Sequence, residues 1–300
     1  MRRLQGFLEN NSFLLSYRLT FKTLVRSPIL WVGILLAIGA VLSRAIGLNT
    51  GYVIVENNQI VDEILDTDPR YVMSYDAYIG RVLNLRGWTM TWAIPVFCVI
   101  TSMLVLMRNH NDGFYEVEKA GGVSPASYML GRMAAIFTVN MLVVGVASYI
   151  SFDYYYFSRG GVEELTLWEY FVDSRQRVMI QILFARAPAI LLYSAITYCA
   201  GSIVKNGIGG TILGLGVVLF NYMGYTTWYR LLPAFYHNYL DPSTLGINNW
   251  WAFWNTEWFD EKYIRNQFEM HDMVLAYSIL LGISVVCIGL SYILTKIRTK

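Results

Sequence analysis

The chain has 300 residues, of which 55% are hydrophobic and 15% are charged, and its mean hydropathy is +0.41. This composition is typical of proteins that cross a membrane several times, and it excludes a large soluble domain. The formal net charge is only +2, and the basic residues lack the positive field that nucleic acid requires, so no nucleic-acid partner is expected.

The first predicted element is an amphipathic helix within residues 4–26 that lies in the membrane interface. An apolar and a basic stripe occupy adjacent arcs at helical spacing: Leu14, Tyr17, Phe21 and Leu24, and then Arg18, Lys22 and Arg26. The apolar side is expected to sink among acyl chains while the basic side meets anionic headgroups. A solvated linker with chance periodicity is the alternative.

Six apolar stretches follow, each with the ~20 residues that a ~30 Å hydrocarbon core requires. They lie at residues 28–48, 88–107, 133–152, 178–204, 208–227 and 273–294. Ser27 and Pro28 predict a clean start for the first span, because proline at the first helical position loses no hydrogen bond. Cys98, Cys199 and Cys287 fall inside these stretches, which predicts packing residues and neither disulfides nor a metal site.

Residues 108–132, RNHNDGFYEVEKAGGVSPASYMLGR, form a polar break between the second and third stretches. Asn111 or Asp112 is expected to cap a short helix over Phe114–Ala120. Gly121-Gly122 then ends that helix, since glycine adopts the left-handed backbone conformation without a steric penalty. Ser124-Pro125 restarts a helix as a capping residue followed by proline.

Two spans joined by a short acidic helix, a glycine stop and a Ser-Pro restart resemble the membrane subunits of ABC exporters of the type-2 (ABC-2) permease family. By this resemblance the short helix is a cytosolic coupling helix that docks in a groove of the ATPase subunit. Glu116 and Glu118 match its acidic positions and Gly121 its glycine stop, while Tyr115 shares a helix face with Glu118 and is a candidate anchor. An ordinary capped loop helix at the membrane surface is the alternative.

The resemblance implies an all-α integral membrane protein of six transmembrane helices, preceded by the interfacial helix, which the family calls the elbow helix. It implies a bacterial cell membrane location, two copies of an ABC ATPase, and a second permease that is identical or homologous. ATP and Mg²⁺ would bind to the ATPase, with no cofactor in this chain. The expected cargo is a peptide, an antibiotic or another amphipathic or hydrophobic compound.

Loop charges predict that both termini lie in the cytosol. With that orientation, the inner segments carry twelve basic and four acidic residues, a net charge of +8, while the outer segments carry nine basic and seventeen acidic residues, a net charge of −8. Lys and Arg concentrate on the cytosolic side of membrane proteins, so residues 108–132 are placed in the cytosol.

Three loops are then exterior. Residues 49–87 contain Tyr71, Tyr75 and Tyr78, which could pack a small helix, and residues 158–177 contain an amphipathic piece. The extracellular loop 228–272 is rich in tryptophan, which favours the headgroup level, and the resemblance implies that part of it re-enters the membrane.

Polar and small residues within the spans are candidates for a helix contact or a translocation path. Gly210 and Gly214 lie four residues apart, so they allow a close helix contact, either with another subunit or within the chain. Asn221 needs a hydrogen-bonding partner. Arg186 either snorkels to headgroups, forms an internal salt bridge or contributes to substrate passage.

The chain lacks the G-x-x-x-x-G-K-[ST] phosphate loop, the H-E-x-x-H metal motif and the G-x-S-x-G nucleophile motif. No catalytic or metal-binding residue is therefore assigned, and the chain is expected to be a transport subunit, not an enzyme. A secondary transporter or channel is the main alternative, although the six stretches contain no acidic residue to couple ions. An intramembrane enzyme is a less favoured alternative, because the sequence offers no nucleophile or metal motif for it.

Overall fold

The computed structural model describes residues 11–47, 52–56, 59–64, 94–111, 119–120, 122–158, 175–226, 240 and 270–298. Within these ranges the long elements are seven helices and one two-stranded sheet. In chain order they are α1 (Ser12–Arg26), α2 (Pro28–Gly47), β1 (Tyr52–Glu56), β2 (Gln59–Ile64), α3 (Ile94–Asn111), α4 (Pro125–Ser158), α5 (Arg175–Val204), α6 (Gly207–Thr226) and α7 (Met270–Arg298).

Each of the six predicted apolar stretches overlaps one of the helices α2 to α7. Within the described residues, three helices are long and apolar enough to cross a membrane, through Pro125–Val146, Ala187–Val204 and Val274–Ile297. The number rises to four if α1 and the start of α2 form one bent span. The described apolar parts of α3 and α6 are shorter, at Ile94–Leu106 and Gly207–Asn221. The chain is therefore a helical membrane protein.

The bend between α1 and α2 is built by local capping. Asn11 is the N-cap residue of α1, and its side chain accepts hydrogen bonds from the N–H groups of Phe13 and Leu14. Pro28 begins α2, as the sequence predicts, and the axes of the two helices differ by 70°. The indole N–H of Trp31 donates to the carbonyl oxygen of Val25 at 2.8 Å, which ties the first turn of α2 to the last turn of α1.

The hairpin of β1 and β2 was not predicted, and it modifies the all-α expectation. The strands are antiparallel, with Tyr52 opposite Ile64 and Glu56 opposite Gln59, and the register shifts between Ile54 and Val55. Strands of this length cannot cross a membrane, so a search for span-length apolar runs overlooks them, although their valines and isoleucines favour strands. Tyr71, Tyr75 and Tyr78 of the same loop lie outside the described residues.

The buried core joins the first five helices. One cluster of buried apolar side chains comes from all five: Leu24, Leu30, Phe97, Val105, Leu106, Met129, Met133, Ile136, Val139, Val143, Ala195 and Tyr198. A smaller cluster of Leu192, Ala276 and Leu280 packs α7 against α5. Cys98 and Cys199 are buried inside helices, as predicted for packing residues, and Cys287 is partly buried.

Large apolar side chains also cover the outside of α2, α6 and α7. The most exposed include Leu35 at 70%, Val285 at 65% and Ile212 at 65%. A soluble monomer rarely leaves such continuous apolar surface in water, whereas a membrane protein covers it with acyl chains. The packed core and the apolar exterior together describe a bundle that is solvated by lipid.

Candidate functional site

Helix α3 continues into the polar break, through Arg108 to Asn111. Asn111 is therefore in the last turn of α3, which leaves Asp112 as the predicted cap of the coupling helix. Residues 112–118 and Gly121 lie outside the described residues, so the predicted coupling positions Tyr115, Glu116, Glu118 and Gly121 have no described geometry.

The described end of the break has the predicted glycine stop. Lys119 and Ala120 are helical, and Gly122 has a φ of +81°, the left-handed conformation that glycine adopts most easily. Its N–H donates to the carbonyl oxygen of Lys119 at 3.0 Å. Gly122 thus has the conformation predicted for the glycine pair.

The helical restart also follows the prediction. Pro125 is the first residue of α4, and the hydroxyl oxygen of Ser124 accepts a hydrogen bond from the N–H of Ser127 at 3.2 Å. The carbonyl oxygen of Ser124 accepts from the N–H of Tyr128 at 2.9 Å. The last residues of the break are therefore fixed rigidly to the N-terminal end of α4.

Helix α1 docks on this same end of α4. Ser12 Oγ and Ser127 Oγ are 2.9 Å apart, and the hydroxyl of Ser16 donates to the carbonyl oxygen of Tyr128 at 3.2 Å. Gly131 lets the backbones touch, because a Cβ at this position would lie 2.8 Å from the carbonyl oxygen of Phe13. Gly131 was not predicted as a contact residue, although a small residue within an apolar run is the usual signal of such an approach.

The packing of α1 corrects the predicted orientation of its faces. Ser16, Thr20 and Leu24 are its buried residues. Leu24, assigned to the acyl chains, is instead fully buried within the protein core. Small hydroxyl side chains allow helices in a membrane protein to approach closely, which explains why a partly polar stripe forms the contact. Tyr17 and Phe21 remain partly exposed, with their rings stacked at a centroid distance of 6.0 Å.

Arg132 gives the start of α4 a buried positive charge. Its side chain is only 2% exposed, and its guanidinium carbon lies 4.0 Å from the centroid of the Tyr128 ring. The electron-rich face of the ring stabilises the cation at this distance. Arg132 and Tyr128 thus occupy the turn of α4 to which α1 is bound.

A buried polar cluster connects α3, α4 and α5 further along α4 than its contact with α1. Asn140 of α4 accepts a hydrogen bond from the hydroxyl of Thr101 in α3 at 2.9 Å, and its amide donates to Ser194 Oγ in α5 at 3.1 Å. All three side chains are fully buried. Sequence reasoning missed this cluster because a single Asn, Thr or Ser in an apolar helix is common and does not reveal its partner.

Removal of the Asn140 amide tests the cluster. We expect Asn140→Ala to destabilise the bundle by about 1–2 kcal/mol, because side-chain hydrogen bonds between membrane helices contribute about 0.6–1.7 kcal/mol. The loss is limited, since in the variant the single hydroxyl proton of Thr101 can turn to the carbonyl oxygen of Cys98, and Ser194 already donates to the carbonyl oxygen of Ile190. Thermal unfolding of the purified chain measures the effect, and Thr138→Ala on the same helix is the control, because Thr138 bonds only to Ala134 of its own helix among the contacts described.

Gly210 and Gly214 lie in a contact within the chain, between α6 and α5. A Cβ on Gly210 would lie 2.5 Å from the Cα of Gly201, and one on Gly214 would overlap the side chain of Thr197. The sequence left open whether these glycines contact another subunit or another helix of the same chain. In the structure they contact α5 of the same chain.

Of the remaining polar candidates within the spans, the structure describes a hydrogen-bonding partner for Asn221 but not the side chain of Arg186. The amide of Asn221 donates to the hydroxyl oxygen of Tyr193 at 2.9 Å, which supplies the partner that Asn221 needs. Arg186 belongs to α5, two residues before Pro188, but its side chain lies outside the described residues. Arg18, Lys22 and Arg26 are exposed on α1.

No family profile, no curated protein and no solved structure matches this chain. The fold therefore defines the class of the protein, a helical membrane protein with a docked N-terminal helix, and its function is argued from its own residues.

Proposed function

We propose that this chain is the membrane-spanning permease subunit of an ATP-driven exporter of the ABC-2 type. It forms the translocation path and receives mechanical force from separate ATPase subunits that bind ATP and Mg²⁺. Two permeases, identical or homologous, and two ATPases make the working transporter, and the cargo is a peptide, an antibiotic or another amphipathic or hydrophobic compound.

The observation that carries the proposal is the rigid connection between the polar break and two helices. After the left-handed Gly122, the break continues through the Ser124 cap into α4. The first turns of α4 hold α1 through Ser127, Tyr128 and Gly131. A force that arrives at Gly122 would therefore reach α1 and α4 together, which is what a coupling segment must do.

The relative directions of the helices support a six-span topology. Ser102 and Leu106 of α3 contact Ser194 and Gly201 of α5 in the same order, so α3 and α5 are parallel. Leu192 packs against Ala276 and Leu280. Ile196 and Ile283, which lie further along α5 and α7, pack against the same cluster, so α5 and α7 are also parallel. Parallel second, fourth and sixth helices are expected when each intervening helix crosses back.

Labelling of single cysteines tests the orientation that the loop charges favour. In a cysteine-free background, cysteines at Asn57, Gly160 and Asn248 should react with an impermeant thiol reagent from outside intact cells. A cysteine at Asn109 should react only after the cells are opened. Strong labelling of the Asn109 position from outside would place the polar break away from the cytosol and remove the basis for ATPase docking.

Co-purification tests the function itself. We expect an ABC ATPase to remain bound when the chain is extracted in mild detergent from the cell that produces it. A secondary transporter or channel would need no such partner. Extraction that recovers the intact chain without an ATPase, together with transport that continues after ATP depletion, would contradict the proposal.

A further inference from the structure

We infer that the exposed side of the elbow and the adjoining start of α2 form a binding site for an anionic phospholipid. The site consists of Arg18, Lys22 and Arg26 together with the exposed apolar side chains that begin α2. This inference does not depend on ATP-driven export, because it concerns how the chain binds the bilayer.

The cations form one stripe on the side of α1 opposite its protein contact. Each follows a buried residue by two positions, Arg18 after Ser16, Lys22 after Thr20 and Arg26 after Leu24. Residues two apart on a helix diverge by about 200°, so a helix that is bound to the protein through one stripe presents the other outward. All three cationic side chains are exposed.

The charge of this stripe is uncompensated within the described structure. The sequence contains no Asp or Glu from Asn10 to Val55. Among the described residues, no acidic side chain forms an ion pair with Arg18, Lys22 or Arg26. Arginine binds phosphate through two parallel N–H donors, while lysine adds a compact charge, so the stripe matches an anionic phosphate headgroup.

The apolar half of the site begins directly after the cations. Ile29, Trp31 and Val32 of α2 are each more than half exposed. The 70° bend turns α2 away from the line of α1 immediately after Arg26. A phospholipid likewise has a charged phosphate followed by apolar acyl chains. Its phosphate can therefore contact the stripe while an acyl chain lies along α2.

The position of Trp31 supports placing the bend between α1 and α2 at the headgroup level of the bilayer. Its indole N–H is bonded to Val25 at the bend while the side chain remains 53% exposed. Tryptophan in this arrangement is typical of the headgroup level, where one edge is polar and the ring is apolar. The bend would therefore lie where phosphates and acyl chains meet.

A bound lipid would also hold the start of α4. The opposite stripe of α1 contacts α4 through Ser16 and Gly131 with the backbones in direct approach. A headgroup that fixes the outer stripe would thereby restrain α1 against α4. The lipid would act as a structural partner of the helix that follows the polar break.

The test compares lipid binding by the full chain in detergent with that of a triple variant. Fluorescent phosphatidylglycerol is titrated against the wild-type chain and against Arg18→Gln/Lys22→Gln/Arg26→Gln, at low ionic strength, with phosphatidylcholine as the neutral comparison. Each cation near an anionic surface changes affinity about 5-fold, so the triple variant should bind phosphatidylglycerol about 100-fold more weakly. Added salt should reduce this difference by screening.

Two further variants keep the result interpretable. Lys205→Gln removes an exposed cation outside the stripe and should leave the affinity unchanged. Arg18→Lys/Arg26→Lys preserves charge and should retain most of the binding. The variants change exposed side chains, so an unchanged thermal transition and an unchanged elution volume will show that they fold.

Several results would overturn the inference. They are equal binding of both lipids by the wild type, an undiminished affinity in the triple variant, or an equal loss in Lys205→Gln. A triple variant that keeps its lipid affinity but loses a co-purifying protein would assign the stripe to that protein. A triple variant that loses lipid affinity but keeps an ATPase bound would support the lipid site independently of the export proposal.

Discussion

Replacement of both Gly210 and Gly214 by Leu should prevent the bundle from folding. A Cβ alone on Gly210 would lie 2.5 Å from the Cα of Gly201 and 2.7 Å from its nitrogen, so even alanine meets backbone. Backbone atoms cannot rotate away as a flexible side chain can. Overpacking a well-packed site costs about 1–3 kcal/mol, and two such sites threaten a fold whose total stability is about 5–15 kcal/mol.

The same helix offers a matched control for the glycine variant. A Cβ on Gly216 meets no atom within 4 Å, and this glycine is exposed on α6. Gly216→Leu should therefore purify with the yield and thermal transition of the wild type, while Gly210→Leu/Gly214→Leu should aggregate or melt at a much lower temperature. A second comparison, Gly210→Ala against Gly216→Ala, tests the contact with a single methyl group.

The glycine experiment also distinguishes the two alternatives that the sequence leaves open. If the glycines formed a contact between subunits, the double variant would retain its thermal transition and lose only its oligomeric state. Size-exclusion chromatography with light scattering measures that state directly. A stable monomer of the double variant would contradict the internal contact.

Truncation of Tyr115 and Glu118 to Ala should separate ATP hydrolysis from transport. Residues three apart share a helix face, so these two side chains would meet the ATPase groove together. Truncating central anchors of an interface typically costs ~2–4 kcal/mol, which corresponds to association about 30-fold to 1,000-fold weaker. The variant should still insert and fold, because residues 112–118 precede the capped start of α4 at Ser124.

Glu116→Ala is the matched control for this variant. Glu116 is two residues before Glu118 and diverges from it by about 200° on a helix, so it would face the chain's own cytosolic surface. We therefore expect it to weaken ATPase association and transport much less than Tyr115→Ala/Glu118→Ala does, which would make Glu118 the main contact of the two acidic coupling positions. The measurements are the ATPase retained in a pull-down, the rate of ATP hydrolysis and the export of cargo from proteoliposomes or cells. Wild-type values in Tyr115→Ala/Glu118→Ala would make this stretch a capped surface loop.

Local signals in the sequence located most of the helices and several of their ends. Span-length apolar runs correspond to α2 through α7, because the length of a hydrophobic run directly reflects what a helix must cross. Ser124 and Pro125 begin a helix, Pro28 begins another, and Gly122 adopts a left-handed conformation. These features depend only on backbone geometry within a few residues, so the sequence is sufficient to place them.

The tertiary structure decided which faces meet. The sequence assigned Leu24 to acyl chains, but α1 packs on α4 through Ser16, Thr20 and Leu24. It left the partner of Gly210 open, and the partner is Gly201. The physical reason is that acyl chains and neighbouring helices are both apolar, so hydrophobicity cannot distinguish a lipid-facing side from a packed one. Only shape, the size of small residues and the reach of hydrogen bonds such as Asn140 to Ser194 select the contact.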